Sequence, residues 1–273
     1  MTIESPPPPL DDPSLIDPLV CPALKWGILG CGRISHDFTQ ALKLLPTQTV
    51  IACAARDFHS AQDFARRHKI STFYDSYEDL FTHADIDIVY VGNIHSLRRS
   101  IGEKVLKANK HCLLEKPFAC NAEDARYLIS LARERNLFFM EGMWTRFFPA
   151  MEQARKLVYG TDTNLGRIGH VAQVYSDFNF NAADSEEYPS SFVYNHKLGG
   201  GATLLVAPYP VAASMMFFSH ATPDQIKAVG QVDHLTGADL QATVVLKFPP
   251  ISETIPMKSV SNTHEFQSPK LPG

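Results

Sequence analysis

The sequence predicts an α/β protein in two parts: an N-terminal doubly wound domain on a parallel sheet, then an α+β domain with a mainly antiparallel sheet. Three observations carry this reading. From Lys25 onward, short β-rich runs alternate with segments of helical period, the pattern of parallel strands joined by crossover helices. A Gly30-Cys31-Gly32 turn connects the first run to the first helical segment. Beyond Pro149 the crossover pattern stops and long alternating runs replace it.

Taken in order, Lys25 to Leu29 is a strand, and Phe38, Ala41, Leu42 and Leu45 lie at the spacing of one helical face after the glycine turn. Thr49 to Ala55 forms a second strand and Ala61 to His68 a second helix. Ile86 to Val91 is a third strand, followed by a helix over Ser100 to Asn109. Cys112 to Leu114 opens a strand that stops at Glu115-Lys116-Pro117, since proline cannot donate to a ladder. Asn121 caps the next helix, with Asp124 three residues on as in a capping box. Phe138 to Glu141 is the last strand of the series. Met151 to Tyr159 then reads as a helix, Ile168 to Phe180 as a long antiparallel strand, and Ile226 to Val232 and Leu240 to Phe248 as two more around a Thr236-Gly237-Ala238 turn. The division is therefore a proline-rich tail (1–24), a dinucleotide-binding domain (25–148), an α+β domain for substrate and oligomerisation (149–248) and an irregular tail (249–273).

Composition narrows the function classes. In 273 residues, 45% hydrophobic content can fill a proper core, and a net charge of −4 without a dense basic run makes nucleic acid a poor partner. The start of the chain lacks the pattern of a secretory signal, and no run of about 18 apolar residues offers a membrane span. Five cysteines without CxxC or metal-ligand spacing suit reduced thiols in a cytoplasmic protein and give no metal site.

The chemistry sits in the loops. Gly30 allows the tight turn, Gly32 lets the backbone approach a pyrophosphate, and the amides at Arg33 and Ile34 open a helix whose positive end faces an anion. This is the Rossmann arrangement, with Ser35 where a third glycine often stands. At the end of the second strand, where an acidic residue binds the ribose of NAD, Arg56 precedes Asp57. A guanidinium there pairs with the 2′-phosphate of NADP, Arg33 is placed to help, and NADP is favoured over NAD, which Asp57 keeps open. The plain alternative is a solvated Arg-Asp pair. Asn93 and His95 follow the Ile86 strand, and Glu115 and Lys116 the Cys112 strand. Both positions are strand C-termini, where open α/β sheets place ligands.

The order of glycine turn, Ala-Ala-Arg-Asp, Val-Tyr-Val-Gly, Glu-Lys-Pro, Glu-Gly-Met-Trp-Thr-Arg-Phe-Phe-Pro, and Gly-Gly-Gly-Ala leading to Tyr209 resembles the glucose-fructose oxidoreductase and inositol dehydrogenase family, particularly its dihydrodiol and D-xylose dehydrogenases. The resemblance spans roughly Lys25 to Phe248. It implies an NADP-dependent hydride transfer between nicotinamide and a CH–OH carbon of a sugar or diol. Lys116 is then the site lysine, beside a cis Pro117, and Tyr209 is the acid/base group, its phenolate favoured by the Lys116 ammonium. His95, Trp144 and Phe147 are substrate contacts; Gly30, Gly32, Arg33, Ile34, Arg56, Asn93, Glu115 and Lys116 hold the cofactor. Two departures stand out. Leu205 replaces the family's site aspartate, and Arg98 stands where relatives often have a second histidine. The resemblance also implies a homodimer through the second sheet, while the short C-terminus counts against one. The competing reading is an NADP(H)-binding protein with little or no turnover; a lyase-like or glycosidase-like use of bound NAD is a third.

Overall fold

In the computed structural model, residues 21–161, 164–165, 171–179, 188–218 and 221–249 are described. Six strands form one parallel sheet: β1 (Leu24–Leu29), β2 (Gln48–Ala54), β3 (Thr72–Tyr74), β4 (Ile88–Val91), β5 (His111–Glu115) and β6 (Phe139–Gly142), in the order β3-β2-β1-β4-β5-β6. The crossovers are α1 (Arg33–Leu42), α2 (Phe58–His68), α3 (Tyr77–Thr82), α4 (His95–Lys107) and α5 (Ala122–Glu134).

The central strands read as unbroken apolar runs because both faces of the sheet are covered. Along β1, Ile28 packs on the side of Leu42 and Phe64, from α1 and α2, while Leu29 packs on the side of Ile101, Val105 and Leu128, from α4 and α5. Ile88 and Val89, Tyr90 and Val91, and Leu113 and Leu114 divide in the same way, as the two-residue period of a strand requires. Each fully buried Leu or Ile in these layers stabilises the fold by roughly 1.5–3 kcal/mol.

Capping fixes the helix ends. Asn121 accepts from the Asp124 amide, as the sequence predicts, and Asp57 accepts from the Ser60 amide at 3.0 Å. Asp57 is therefore the N-cap of α2, using one oxygen of an exposed carboxylate. The helix of residues 95–107 starts earlier than expected, at His95 itself. Strand β3 and helix α3 had no periodic signal because three and six residues are too few to show one.

Two contacts bind α1 to its surroundings. Ser35 is fully buried and donates to the Gly30 carbonyl, and it lies against Gly92, where an added Cβ would come within 2.1 Å of its Oγ. The small residue at the third position of the turn thus depends on a glycine in another loop. His36 Nδ1 meets His68 Nε2 at 2.5 Å across α1 and α2, with the His36 ring against Phe64. Burial, with His36, Lys43 and Arg67 nearby, holds the His68 pKa down to about 4.

After β6 comes a 3₁₀ turn at Trp144–Phe147, then α6 (Pro149–Tyr159), a small pair β7 (Gly160–Thr161) and β8 (Asn164–Leu165), α7 (Ala202–Leu205), α8 (Pro208–Phe217), and an antiparallel hairpin of β9 (Gln225–Val232) and β10 (Asp239–Lys247). The turn expected at Thr236–Ala238 is the tip of that hairpin, organised by Asp233 accepting from the amides of Leu235 and Thr236. The expected strand at Ile168–Phe180 is corrected: residues 171–179 carry no strand, and the rest of that run lies outside the described residues. Alternation supplies a two-faced segment, but a strand also needs a ladder partner, and none pairs with it among the described residues. The tails at 1–20 and 250–273 likewise lie outside them.

Two outcomes follow from this packing. Gly92→Ala should cost about 1–3 kcal/mol by overpacking against Ser35 in urea unfolding, with most of the loss recovered in the Ser35→Gly background. Because the pKa of folded His68 lies below the unfolded value, the unfolded chain binds more protons as pH falls from 6.5 toward 4, so stability should decline across that window. Melting curves of His68→Gln against the parent should show a flatter pH dependence there.

Candidate functional site

The sheet order reverses between β1 and β4, so the loops leaving those strands diverge and open a crevice at the C-terminal edge. Gly30, Gly32, Arg33 and Ile34 lie at its β1 end. Gly30 has φ +88°, a backbone suited to glycine, and a Cβ there would lie 3.0 Å from Asn93 Oδ1. A Cβ on Gly32 would meet nothing within 4 Å, so the turn faces open space. Helix α1 has neither a side-chain cap nor an acidic first turn, leaving its first amides and its dipole for an anion. Arg33 and Arg56 are exposed beside this end, without a hydrogen bond or ion pair to any described residue.

Asn93 is 9% exposed; its Nδ2 donates to Tyr77 Oη at 2.9 Å, and its Oδ1 has no hydrogen-bond partner among the described residues. A buried amide oxygen rarely goes unsatisfied, since desolvation costs it about 1–3 kcal/mol. An orphan acceptor beside an uncapped helix end and an open glycine turn fits a dinucleotide, whose ribose hydroxyls and amide are donors and whose pyrophosphate is an anion. Tyr77 had no sequence signal, because α3 is too short to be seen in the pattern.

At the end of β5, Glu115 Oε1 accepts from Tyr90 Oη at 2.9 Å and Oε2 from the Lys116 amide at 3.2 Å. The Lys116–Pro117 bond is cis, as the resemblance implies. Lys116 Nζ donates to the Leu205 carbonyl at 2.6 Å and lies 4.4 Å from the centroid of the Tyr209 ring. Leu205 thus serves the lysine through its backbone oxygen. Burial lowers the Lys116 pKa, the Glu115 charge opposes this, and Arg98 adds to it.

Tyr209, in the first turn of α8, accepts from Trp144 Nε1 at 2.9 Å and stacks on Phe178 at 5.2 Å. The Lys116 ammonium sits over the ring face rather than on the hydroxyl, with one N–H on the Leu205 carbonyl. Burial raises the Tyr209 pKa, the Trp144 hydrogen bond works against this, and the Glu115 charge adds to it. Tyr209 also borders a shallow groove with Thr145, Arg146, Asp177 and Met216.

His95 is 3% exposed and bonds the Gly199 carbonyl through Nε2 at 2.6 Å. A carbonyl only accepts, so Nε2 carries the proton and Nδ1 the lone pair. Burial lowers its pKa, keeping the ring neutral. Gly199, at φ +78°, leaves no room for a side chain, since a Cβ would lie 2.6 Å from His95 Cδ2. His95 therefore bridges the two halves of the chain. Phe147 is 63% exposed and makes no ring contact with this cluster among the described residues, whereas the equally open Trp144 is brought to Tyr209. Arg98 is 6% exposed, one helical turn after His95, and its guanidinium reaches two loop carbonyls. That spacing was visible in the sequence, but its burial was not.

Fold and crevice together define a nucleotide-binding protein of oxidoreductase type. Residues 24–143 match the profile described as "Oxidoreductase family, NAD-binding Rossmann fold" and residues 153–265 the "GFO/IDH/MocA C-terminal domain", and the chain belongs to this family. A zebrafish (Danio rerio) trans-1,2-dihydrobenzene-1,2-diol dehydrogenase is 42% identical over 83% of this chain and 65% of its own length. The chain thus spans just under two thirds of that relative. Among solved structures, the 3-ketoreductase KijD10 from Actinomadura kijaniata, in complex with NADP and TDP-benzene, is similar at 25% identity and a TM-score of 0.68, over 82% of this chain and 66% of that one. GenD2 from gentamicin A biosynthesis, in complex with NAD, shares the fold at 18% identity and a TM-score of 0.70, over 84% of this chain and 63% of that one. All five cysteines are free thiols.

The electrostatics of the β5 loop can be measured directly. The Lys116 ammonium, followed by NMR after reductive ¹³C-methylation and assigned with Lys116→Arg, should titrate below an ordinary lysine. Glu115→Gln removes the charge that opposes this shift and should lower the titration further.

Proposed function

We propose that the chain is an NADP-dependent dehydrogenase acting on the CH–OH group of a small cyclic substrate, either a trans-dihydrodiol or an aldose of the D-xylose type. The observation that carries this reading is the Lys116 ammonium set against Tyr209, on the crevice edge that also holds the glycine turn and the orphan Asn93 oxygen. The dihydrodiol dehydrogenase relatives favour the diol. The two exposed guanidinium groups of Arg33 and Arg56 beside the helix end favour NADP over NAD. In this reading residues 25–148 form the cofactor domain and 149–248 the substrate domain. The free thiols and the charge balance fit a cytoplasmic protein.

When bound, the nicotinamide supplies the hydride acceptor. Gly30, Gly32, Arg33, Ile34, Arg56, Asn93 and Glu115 would hold the cofactor, the two arginines through charge-assisted bonds to a 2′-phosphate. Lys116 keeps one N–H on Leu205 and has two left for the substrate oxygen, where a cation favours the developing alkoxide. Tyr209 acts as the phenolate, steadied by the Trp144 N–H, and its Oη takes the hydroxyl proton to become the neutral phenol. His95 holds the Gly199 loop against the site, and Trp144 and Phe147 present apolar surface to the substrate ring.

A second reading has its own support. With Leu205 in place of a carboxylate and the Tyr209 pKa raised by burial, the site has lost part of its acid/base help. That favours an NADP(H)-binding protein with little turnover.

Purified protein with NADP and a panel of a trans-dihydrodiol, D-xylose and D-glucose separates the two by the absorbance of NADPH. The dehydrogenase reading expects turnover that falls at least about 100-fold in Tyr209→Phe, since general acid–base help is worth about 10²–10⁴-fold. Arg56→Ala should weaken NADP binding about 10-fold or more while leaving NAD binding unchanged. Tight NADPH binding without turnover on any substrate would favour the second reading.

A further inference from the structure

We propose that Arg98 is a positioning residue: its guanidinium ties the Asn93 carbonyl, on the cofactor loop, to the Pro117 carbonyl beside Lys116, and so fixes the spacing between the two loops. This rests on the reading of the crevice as an oxidoreductase site. Nη1 donates to Pro117 O at 2.8 Å and Nη2 to Asn93 O, from a side chain 6% exposed. The two carbonyls belong to loops leaving neighbouring strands, β4 and β5, whose ends are also joined by the Tyr90 hydroxyl donating to Glu115.

The choice of residue is physically specific. A planar fork with fixed directions can satisfy two carbonyls at once, whereas a lysine at this position would offer a single point charge on a flexible stem. The charge is costly to bury, and the carboxyl groups of Glu115 and Glu141 offset the cost, Glu115 the most, with the neutral Tyr90 and Cys120 beside them. Nε has no hydrogen-bond partner among the described residues, so the two carbonyl bonds are what the guanidinium provides. Displacing either loop breaks a charge-assisted bond in a buried setting. The Asn93 side chain and the Lys116 ammonium are thereby held to one geometry from a residue that contacts neither side chain's functional atoms.

Two variants of the full chain test this. Arg98→Lys keeps the charge and loses the fork; Arg98→Gln loses both. Positioning predicts that Arg98→Lys weakens NADPH binding about 10-fold to 100-fold. It also predicts that the Lys116 titration, read by ¹³C NMR of the methylated protein, rises in Arg98→Lys, because a loosened turn hydrates the ammonium although the neighbouring charge is retained. A Lys116 titration that moves in Arg98→Gln but stays put in Arg98→Lys would reduce Arg98 to a nearby charge and overturn the proposal. So would variants that lose only melting temperature, with NADPH affinity and Lys116 unchanged. If neither variant folds, ¹⁵N NMR of the wild-type guanidinium decides. Separate, slowly exchanging Nη signals that both shift on adding NADPH support the tie, and a single averaged signal indifferent to NADPH refutes it. Absence of turnover in the wild type would defeat the functional reading alone, since the Lys116 titration does not depend on it.

Discussion

Strand β1 pairs in parallel with β2 on one side and β4 on the other, and the rest of the structure depends on that arrangement. A strand buried on both faces must be apolar throughout, which makes Ile28 and Leu29 fully buried and sends the chain into crossovers on opposite faces. The same pairing forces the β1 and β4 loops apart. The crevice is a consequence of sheet order before any site residue is considered, and the glycine turn, Asn93 and the Lys116 loop are what the chain places around it.

Around that crevice the charged groups are buried in mutually dependent sets. Arg98 lies among Glu115, Glu141 and Tyr90, and its burial pulls its pKa down to about 10 while the acids oppose the shift. Glu141 is held above the ordinary carboxylate range by burial, with the Phe118 amide and Arg98 working the other way. Removing any one member leaves another buried and unpaired, which is dearer than the pair is favourable. Lys116 in turn bonds the backbone carbonyl of Leu205, a partner that does not depend on the side chain at that position.

The second half of the chain obeys weaker constraints. In the β9–β10 hairpin Ile226, Val229, Val232 and Val245 are each at least 62% exposed, although the β-rich composition of both runs marked the strands correctly. Helix α8 is apolar nearly all round, and its prolines at 208 and 210 fall in the first turn, where a missing N–H costs little. It holds Tyr209 in that turn, against Trp144 from the other side of the crevice.

Local chemistry was legible in the sequence wherever the determinant was itself local. The 2 and 3.6 periodicities placed the long strands and helices, Asn121 announced its cap, and the glycine turn fixed where a phosphate-binding helix end must lie. Strand β3, helix α3 and the unpaired run at 171–179 were not legible, because short elements carry no period and pairing is a property of two segments. Of the site, Lys116 and Tyr209 were readable as types in an order. That the ammonium rests on the ring and bonds Leu205, that Trp144 serves the tyrosine and that Arg98 is buried between two loops were decided by tertiary structure alone. The reason is physical: the residue type sets what a side chain can donate or accept, but burial and partner, which set its pKa and its use, come from segments distant in the chain.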